Sequence, residues 1–238
     1  MRPLLELKDI TFSYPGGEPV LKGIDFQLDF GDKVGLWGCN GAGKTTLFHV
    51  IMGLERPSAG AILFEGRPVI GRKDLTVLRR KVGFLFQDAD DQLFCPTLLE
   101  DIAFGPLNLG LSPDEARGKA IATLDLLGMA NLADRPPYSL SGGQKKLGAL
   151  ATILVMDPIA LILDEPTDGL DEDACALLEQ LLVATDAAIL AASHDKAFIE
   201  KVTAKGYLLS GGRLFNLPRN GRQALPKGAW GRPYAPGG

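Results

Sequence analysis

The sequence predicts an α/β fold with an antiparallel β subdomain at its N-terminal end and a helical subdomain inserted into the core. Three observations carry this. Apolar and polar residues alternate from Leu5 to Phe30. A strand, a glycine-rich loop and a helical pattern follow one another from Val34 to Leu54. Two short apolar runs, Ile159 to Leu163 and Ala187 to Ala192, resume the strand pattern after a mainly helical stretch.

The first strand alternates at Leu5 and Leu7, changes phase at Lys8 and Asp9, and alternates again at Ile10, Phe12 and Tyr14, as a bulged strand would. Pro15, Gly16 and Gly17 end it. Ile24, Phe26, Leu28 and Phe30 form a second period-two face with Asp25, Gln27 and Asp29 between them, predicting a half-exposed antiparallel strand. Leu47, Val50, Ile51 and Leu54 then recur at helical spacing. From about Asp88 to Met156 the pattern is helical, with Pro96, Pro106, Pro113 and Pro136-Pro137 separating short segments. After the run at Ile159 come a helix from about Asp171 to Ala184, the strand from Ala187, and a hairpin around Gly211-Gly212. Asn216 to Gly238 is rich in Pro and Gly, carries Arg219, Arg222, Lys227 and Arg232 without an acid, and reads as a loosely ordered tail.

At 238 residues one hydrophobic core suffices. A net charge of -4 argues against nucleic acid as the main partner, because its backbone demands a basic excess. Cys39, Cys95 and Cys175 fit neither a zinc pattern nor a disulfide framework, which predicts a reducing cytoplasm. No run approaches the roughly 20 apolar residues that span a bilayer, and Met1 to Lys8 lacks the apolar core of a secretory signal.

Gly38-Cys39-Asn40-Gly41-Ala42-Gly43-Lys44-Thr45 matches GxxxxGK[ST] between a strand and a helix. Its glycines let backbone N–H groups and a helix N-terminus converge on phosphate. Lys44 would neutralise the β- and γ-phosphates, and the Thr45 hydroxyl would ligate Mg²⁺. Such a match arises by chance in roughly 1% of chains this long, and its strand and helix context lowers that figure further. Leu161-Ile162-Leu163-Asp164-Glu165 is an apolar strand ending in two carboxylates at the edge where phosphate loops sit. Asp164 would hold Mg²⁺, and Glu165 would act on the attacking water as general base. Leu140-Ser141-Gly142-Gly143-Gln144, ahead of an apolar helical run, offers a second helix start able to face a γ-phosphate. Leu209-Ser210-Gly211-Gly212 looks similar, but Pro218 follows within a few residues and no helix pattern does, which predicts a turn.

With these motifs in this order, the chain resembles the ABC ATPase family over about residues 2–215. The resemblance implies a P-loop NTPase core with ATP and Mg²⁺ as cofactors, a helical subdomain at about 88–156, and a tail at 216–238. It carries the phosphate-binding stretch on to Thr46. It makes Gln87 the glutamine that contacts the metal and couples nucleotide to a membrane partner, and Asp168 to Asp171 the loop after the catalytic strand. His194 becomes the histidine near the γ-phosphate, while Tyr14 stacks on adenine. His49, on the helix after the phosphate loop, reads as structural.

Phe86 to Phe94 and Glu100 to Asn108 look like the energy-coupling-factor ATPases, and the short chain is similar to their cobalt and nickel branch. The match departs at Leu147, where arginine is common, and at Asp168, where a small residue is common. The resemblance implies a peripheral subunit on the cytoplasmic face of the cell membrane, docked by Asp88 to Asn108 to a transmembrane coupling protein that works with a substrate-binding membrane component. Asp90 and Asp91 are expected to meet basic side chains there. Two phosphate-binding helix starts in one chain further predict a head-to-tail homodimer, with a heterodimer of paralogues as the alternative. Other readings are a vitamin importer, a soluble ABC ATPase of repair or translation, and a nucleotide-gated module without turnover. The soluble class usually carries two nucleotide domains or a long coiled coil, and Glu165 with His194 argues against the inert module.

Overall fold

The computed structural model describes residues 2–217. Strand β1 (Leu5–Ser13) pairs antiparallel with β2 (Pro19–Leu28) on one side and β4 (Ala59–Phe64) on the other, and β5 (Arg67–Pro68) extends the sheet beyond β4. The expected bulge is present: the register shifts between Leu7 and Ile10, where Asp9 takes a φ of 50° and its N–H donates to Asp25 Oδ1 at 2.9 Å. The second strand begins five residues ahead of Ile24, and Phe30 lies outside it, 56% exposed beyond the strand end. Its place in the alternation is coincidental.

The second sheet has the order β10-β9-β3-β8-β7-β6, formed by β3 (Lys33–Trp37), β6 (Val82–Leu85), β7 (Ala160–Asp164), β8 (Ala188–Ala192), β9 (Lys205–Ser210) and β10 (Arg213–Leu217). All its pairings are parallel except that of β10 with β9. The helices are α1 (Lys44–Ile51), α2 (Arg72–Lys81), α3 (Leu98–Asn108), α4 (Pro113–Leu126), α5 (Gly142–Leu154), α6 (Glu172–Ala184) and α7 (Lys196–Val202). Period two divides the strands between two cores. Leu161, Leu163, Ile189 and Ala191 join a core with residues of α3 to α7. Their neighbours Ile162, Leu190, Val34 and Leu36 join another with α1 and the antiparallel sheet. The parallel sheet is thus covered on both faces, which is why β7 and β8 read as unbroken apolar runs.

Helices α3, α4 and α5 form the expected insertion. Pro113 opens α4 behind its Ser112 cap, and Pro96 precedes the Thr97 cap of α3. Pro106 instead lies inside α3, two residues from its end, so it does not separate segments as the pattern suggested. Leu147 is buried among the apolar side chains of this subdomain.

The second Ser-Gly-Gly sequence is the predicted hairpin. Gly211 and Gly212 take φ of 57° and 79°, the left-handed pair of a tight β-turn, and Lys22 N–H donates to Gly212 O at 2.8 Å. A Cβ on Gly212 would stand 2.7 Å from Val20 O. The 215 boundary falls inside β10, which ends at Leu217; the rest of the expected tail lies outside the described residues. No helix among the described residues is long and apolar enough to cross a membrane, and none of the three cysteines is in a disulfide.

Candidate active site

In the parallel register Leu36 stands beside Ala192 and Ala192 beside Asp164, while Leu85 pairs with Leu163. The loops leaving β3, β8, β7 and β6 therefore emerge at one sheet edge. They carry Gly38 to Gly43, His194, Glu165 to Asp168, and Gln87, residues far apart in the chain.

The phosphate loop ends at Gly43, which adopts a φ of 100° ahead of α1. Lys44 Nζ donates to Gly38 O at 2.9 Å and Cys39 O at 3.4 Å, across the mouth of its own loop. The Thr45 hydroxyl donates to Asp164 Oδ2 at 2.6 Å. Asp164 is 1% exposed, and burial pushes its carboxyl above the usual range while the Thr45 hydrogen bond opposes that shift. These paired oxygen donors suit Mg²⁺, a hard cation that takes hydroxyl and carboxylate ligands. Gln87 lines a cavity of about 540 Å³ with Thr45, His49, Asp88, Asp91 and Asp168. His49 packs edge-on to Phe84 with ring centroids 5.9 Å apart, a structural contact, and also borders that cavity.

Glu165 has a φ of 45°, a left-handed backbone that costs a side-chain-bearing residue about 1 kcal/mol or more. The turn brings its buried carboxylate to β8: Glu165 Oε2 accepts from His194 N–H at 2.8 Å and lies 2.9 Å from His194 Nδ1. Asp168 Oδ1 is 3.4 Å from the same ring nitrogen. Burial, then the Glu165 charge, hold the Asp168 carboxyl above its ordinary range. Asp168, one of the two departures from the family pattern, is thus brought to the His194 ring.

Ser141 caps α5 in a capping box with Gln144: its hydroxyl accepts from Gln144 N–H at 3.2 Å, and its own N–H donates to Gln144 Oε1 at 3.0 Å. The cap is exposed to solvent. A Cβ on Gly143 would lie 2.7 Å from Gly169 O, so glycine is required for the helix start to rest on the loop after Glu165. Gly143→Ala is accordingly expected to lower hydrolysis by at least about tenfold while nucleotide affinity changes little, as a titration with fluorescent ATP and a phosphate-release assay would report.

Tyr14 is 42% exposed, and its hydroxyl lies 3.1 Å from Thr46 Oγ1. The open ring is thereby tethered to α1 just behind the phosphate loop. Thr46 is 7% exposed and engaged by this contact. Asp90 has a cation within its own chain: Lys145 Nζ lies 2.6 Å from its Oδ1, with the Asp90 side chain 63% exposed. Asp91 is exposed beside Gln87.

Residues 21–168 match the family model described as ABC transporter. The chain is 51% identical, over 84% of its length and 73% of the relative's, to a putative ABC transporter ATP-binding protein of Nitratidesulfovibrio vulgaris. It is 47% identical, over 76% of its length and 66% of the relative's, to the energy-coupling factor transporter ATP-binding protein EcfA of Methanosphaera stadtmanae. It therefore spans about two thirds of that relative's length. Among solved structures it resembles cbiO1 from Clostridium perfringens, part of the ABC transporter complex cbiONQ, with a TM-score of 0.78 and 36% identity over 90% of this chain and 88% of that one. It also resembles the ATP-binding cassette MJ0796 in a dimeric post-hydrolysis state with ADP and Pi, with a TM-score of 0.81 and 26% identity over 90% and 98% of the two chains.

Proposed function

The chain belongs to the ABC transporter family of ATP-binding proteins, and from that premise we propose that it is the ATPase of an energy-coupling-factor import complex whose cargo is a cobalt or nickel ion. The EcfA relative supports the type, and the place of cbiO1 in a cbiONQ complex supports the cargo. In this reading the subunit sits on the cytoplasmic face of the membrane and docks to a transmembrane coupling protein.

The observation that carries docking is an exposed aromatic pair beside the Gln87 loop. Phe94 and Phe104 are 67% and 48% exposed and pack edge to face with centroids 5.1 Å apart. Leu107 and Leu109 extend the apolar surface along and beyond α3. Water-facing aromatics in such a cluster mark a contact surface, and truncating an anchor of this kind costs about 2 kcal/mol or more of binding. Phe94→Ser should reduce recovery of the membrane partners on affinity purification by about tenfold or more, and leave hydrolysis by the isolated subunit within about twofold. Undiminished copurification would move the docking surface elsewhere. Uptake of radioactive nickel or cobalt by vesicles containing the purified complex tests the cargo; uptake of neither ion would favour the vitamin-importing reading.

At the sheet edge, Lys44 and the loop N–H groups would hold the β- and γ-phosphates, with Tyr14 against the adenine. Mg²⁺ held by Thr45, Asp164 and Gln87 would supply charge neutralisation between the β- and γ-phosphates. Glu165 would accept a proton from the attacking water, and His194, aligned by Glu165, would donate toward the γ-phosphate. Ser141 to Gln144 of a second copy would close the site from the opposite side.

A further inference from the structure

Lys146 is a buried cation for which the scheme above has no use. It lies in the second turn of α5 and is 4% exposed. Its Nζ donates to Gln87 O at 2.6 Å and to Phe86 O at 3.4 Å. Burial pulls its pKa down, and the charges of Asp168, Asp164, Asp88 and Glu165 oppose that shift. A buried ammonium persists only where its donors and its charge are met, and both conditions are met here by groups of the site.

Three more contacts fasten the same loop to the same helix. Gln92 Nε2 donates to Ala149 O at 2.9 Å and Thr152 Oγ1 at 2.8 Å, and Lys145 pairs with Asp90. Of these ties, the one from Lys146 holds Gln87 itself. Ser141 caps the same helix five residues earlier, about 7.5 Å along the axis. Over that length a helix is a rigid rod, so a shift of the Gln87 backbone must be shared by Ser141.

We propose that Lys146 is a positioning residue that couples the two ATP sites of the dimer, by making Gln87 in a chain's own site and Ser141 in its partner's site move as one body. The proposal rests on the head-to-tail reading, and mixed dimers separate the two. Lys146→Met keeps length and removes the donors; Lys146→Gln keeps an N–H donor able to reach the Gln87 carbonyl. In a mixture of Lys146→Met with Lys44→Ala chains, the only site with an intact Lys44 has the Lys146 lesion behind its own Gln87. In a mixture of Lys146→Met with Ser141→Arg chains, the only site with an intact Ser141 receives that serine from the lesioned helix.

Coupling predicts that both mixtures stay at least about tenfold below the control mixture of Lys44→Ala with Ser141→Arg chains, with the KM for ATP changed less than about threefold. Lys146→Gln should restore both to within about threefold. Recovery of the first mixture would confine Lys146 to the partner's site, and recovery of the second would confine it to its own; either overturns coupling. A glutamine variant as weak as the methionine one overturns the tether. Recovery of neither hydrolysis nor ATP-dependent dimer formation in the control mixture overturns the head-to-tail reading and the coupling with it, a result distinct from the others. Should Lys146→Met fail to fold by circular dichroism, Lys146→Ala takes its place, with the same outcomes deciding.

Discussion

Glu165→Gln lowers steady-state hydrolysis by on the order of 10²-fold or more and leaves ATP binding intact. Glutamine has the volume of glutamate and can still accept the His194 N–H that now lies 2.8 Å from Oε2. The strained turn at Glu165 and the position of His194 should therefore survive, and the change removes only the basic oxygen. ATP that binds but is not cleaved should hold two copies together, so the variant should elute as a dimer with ATP and Mg²⁺ and as a monomer without them. Turnover near that of the unaltered protein would assign the base elsewhere. Asp168, which shares the His194 ring at 3.4 Å, would be the first place to look.

The legible parts of this chain are those whose pattern is dictated by backbone chemistry. The phosphate loop needs glycines whatever surrounds it, and a strand covered on both faces must be apolar throughout, so Gly38 to Thr45 and β7 could be read directly. The stretch after α1 could not. Of the six residues of β4 the first three are exposed, which hides the alternation, and α2 buries only Leu78 among its ten residues, so no helical period shows. Contacts distant in sequence were equally silent. Nothing in the sequence tells Lys145 from Lys146, yet one is paired with Asp90 and the other is closed over by the Gln87 loop, partners 55 and 59 residues away. The same holds for Asp168, whose meaning depends on a histidine brought to it by β8. Tyr14 and Phe30 both fell on an alternating face. Only the fold separates the ring tethered to Thr46 from the one left in water beyond its strand.

A mixture of Lys44→Ala and Ser141→Arg chains recovers up to roughly a quarter of the unaltered activity, although each variant alone has almost none. The expectation follows from geometry. Ser141 caps α5 with its helix N-terminus exposed, while Lys44 and Thr45 form their own cluster with Gly38, Cys39 and Asp164. Two anion-seeking ends in one chain are used together if a second copy is turned head to tail, so that each site takes Lys44 from one chain and Ser141 from the other. A related cassette has been solved as a dimer with ADP and Pi, so two copies of this fold can pair. A pure Lys44→Ala dimer then has the lysine lesion in both sites, and a pure Ser141→Arg dimer has the serine lesion in both. A mixed dimer gathers both lesions into one site and leaves the other whole. Random pairing makes about half the dimers mixed, with half their sites intact, which gives the quarter. Sites built within one chain would each keep a lesion in every combination, so no activity would return. Because strong coupling could silence a dimer with one whole site, ATP-dependent dimer formation is measured on the same mixture. If neither hydrolysis nor dimer formation recovers there, Ser141 does not serve the partner's nucleotide.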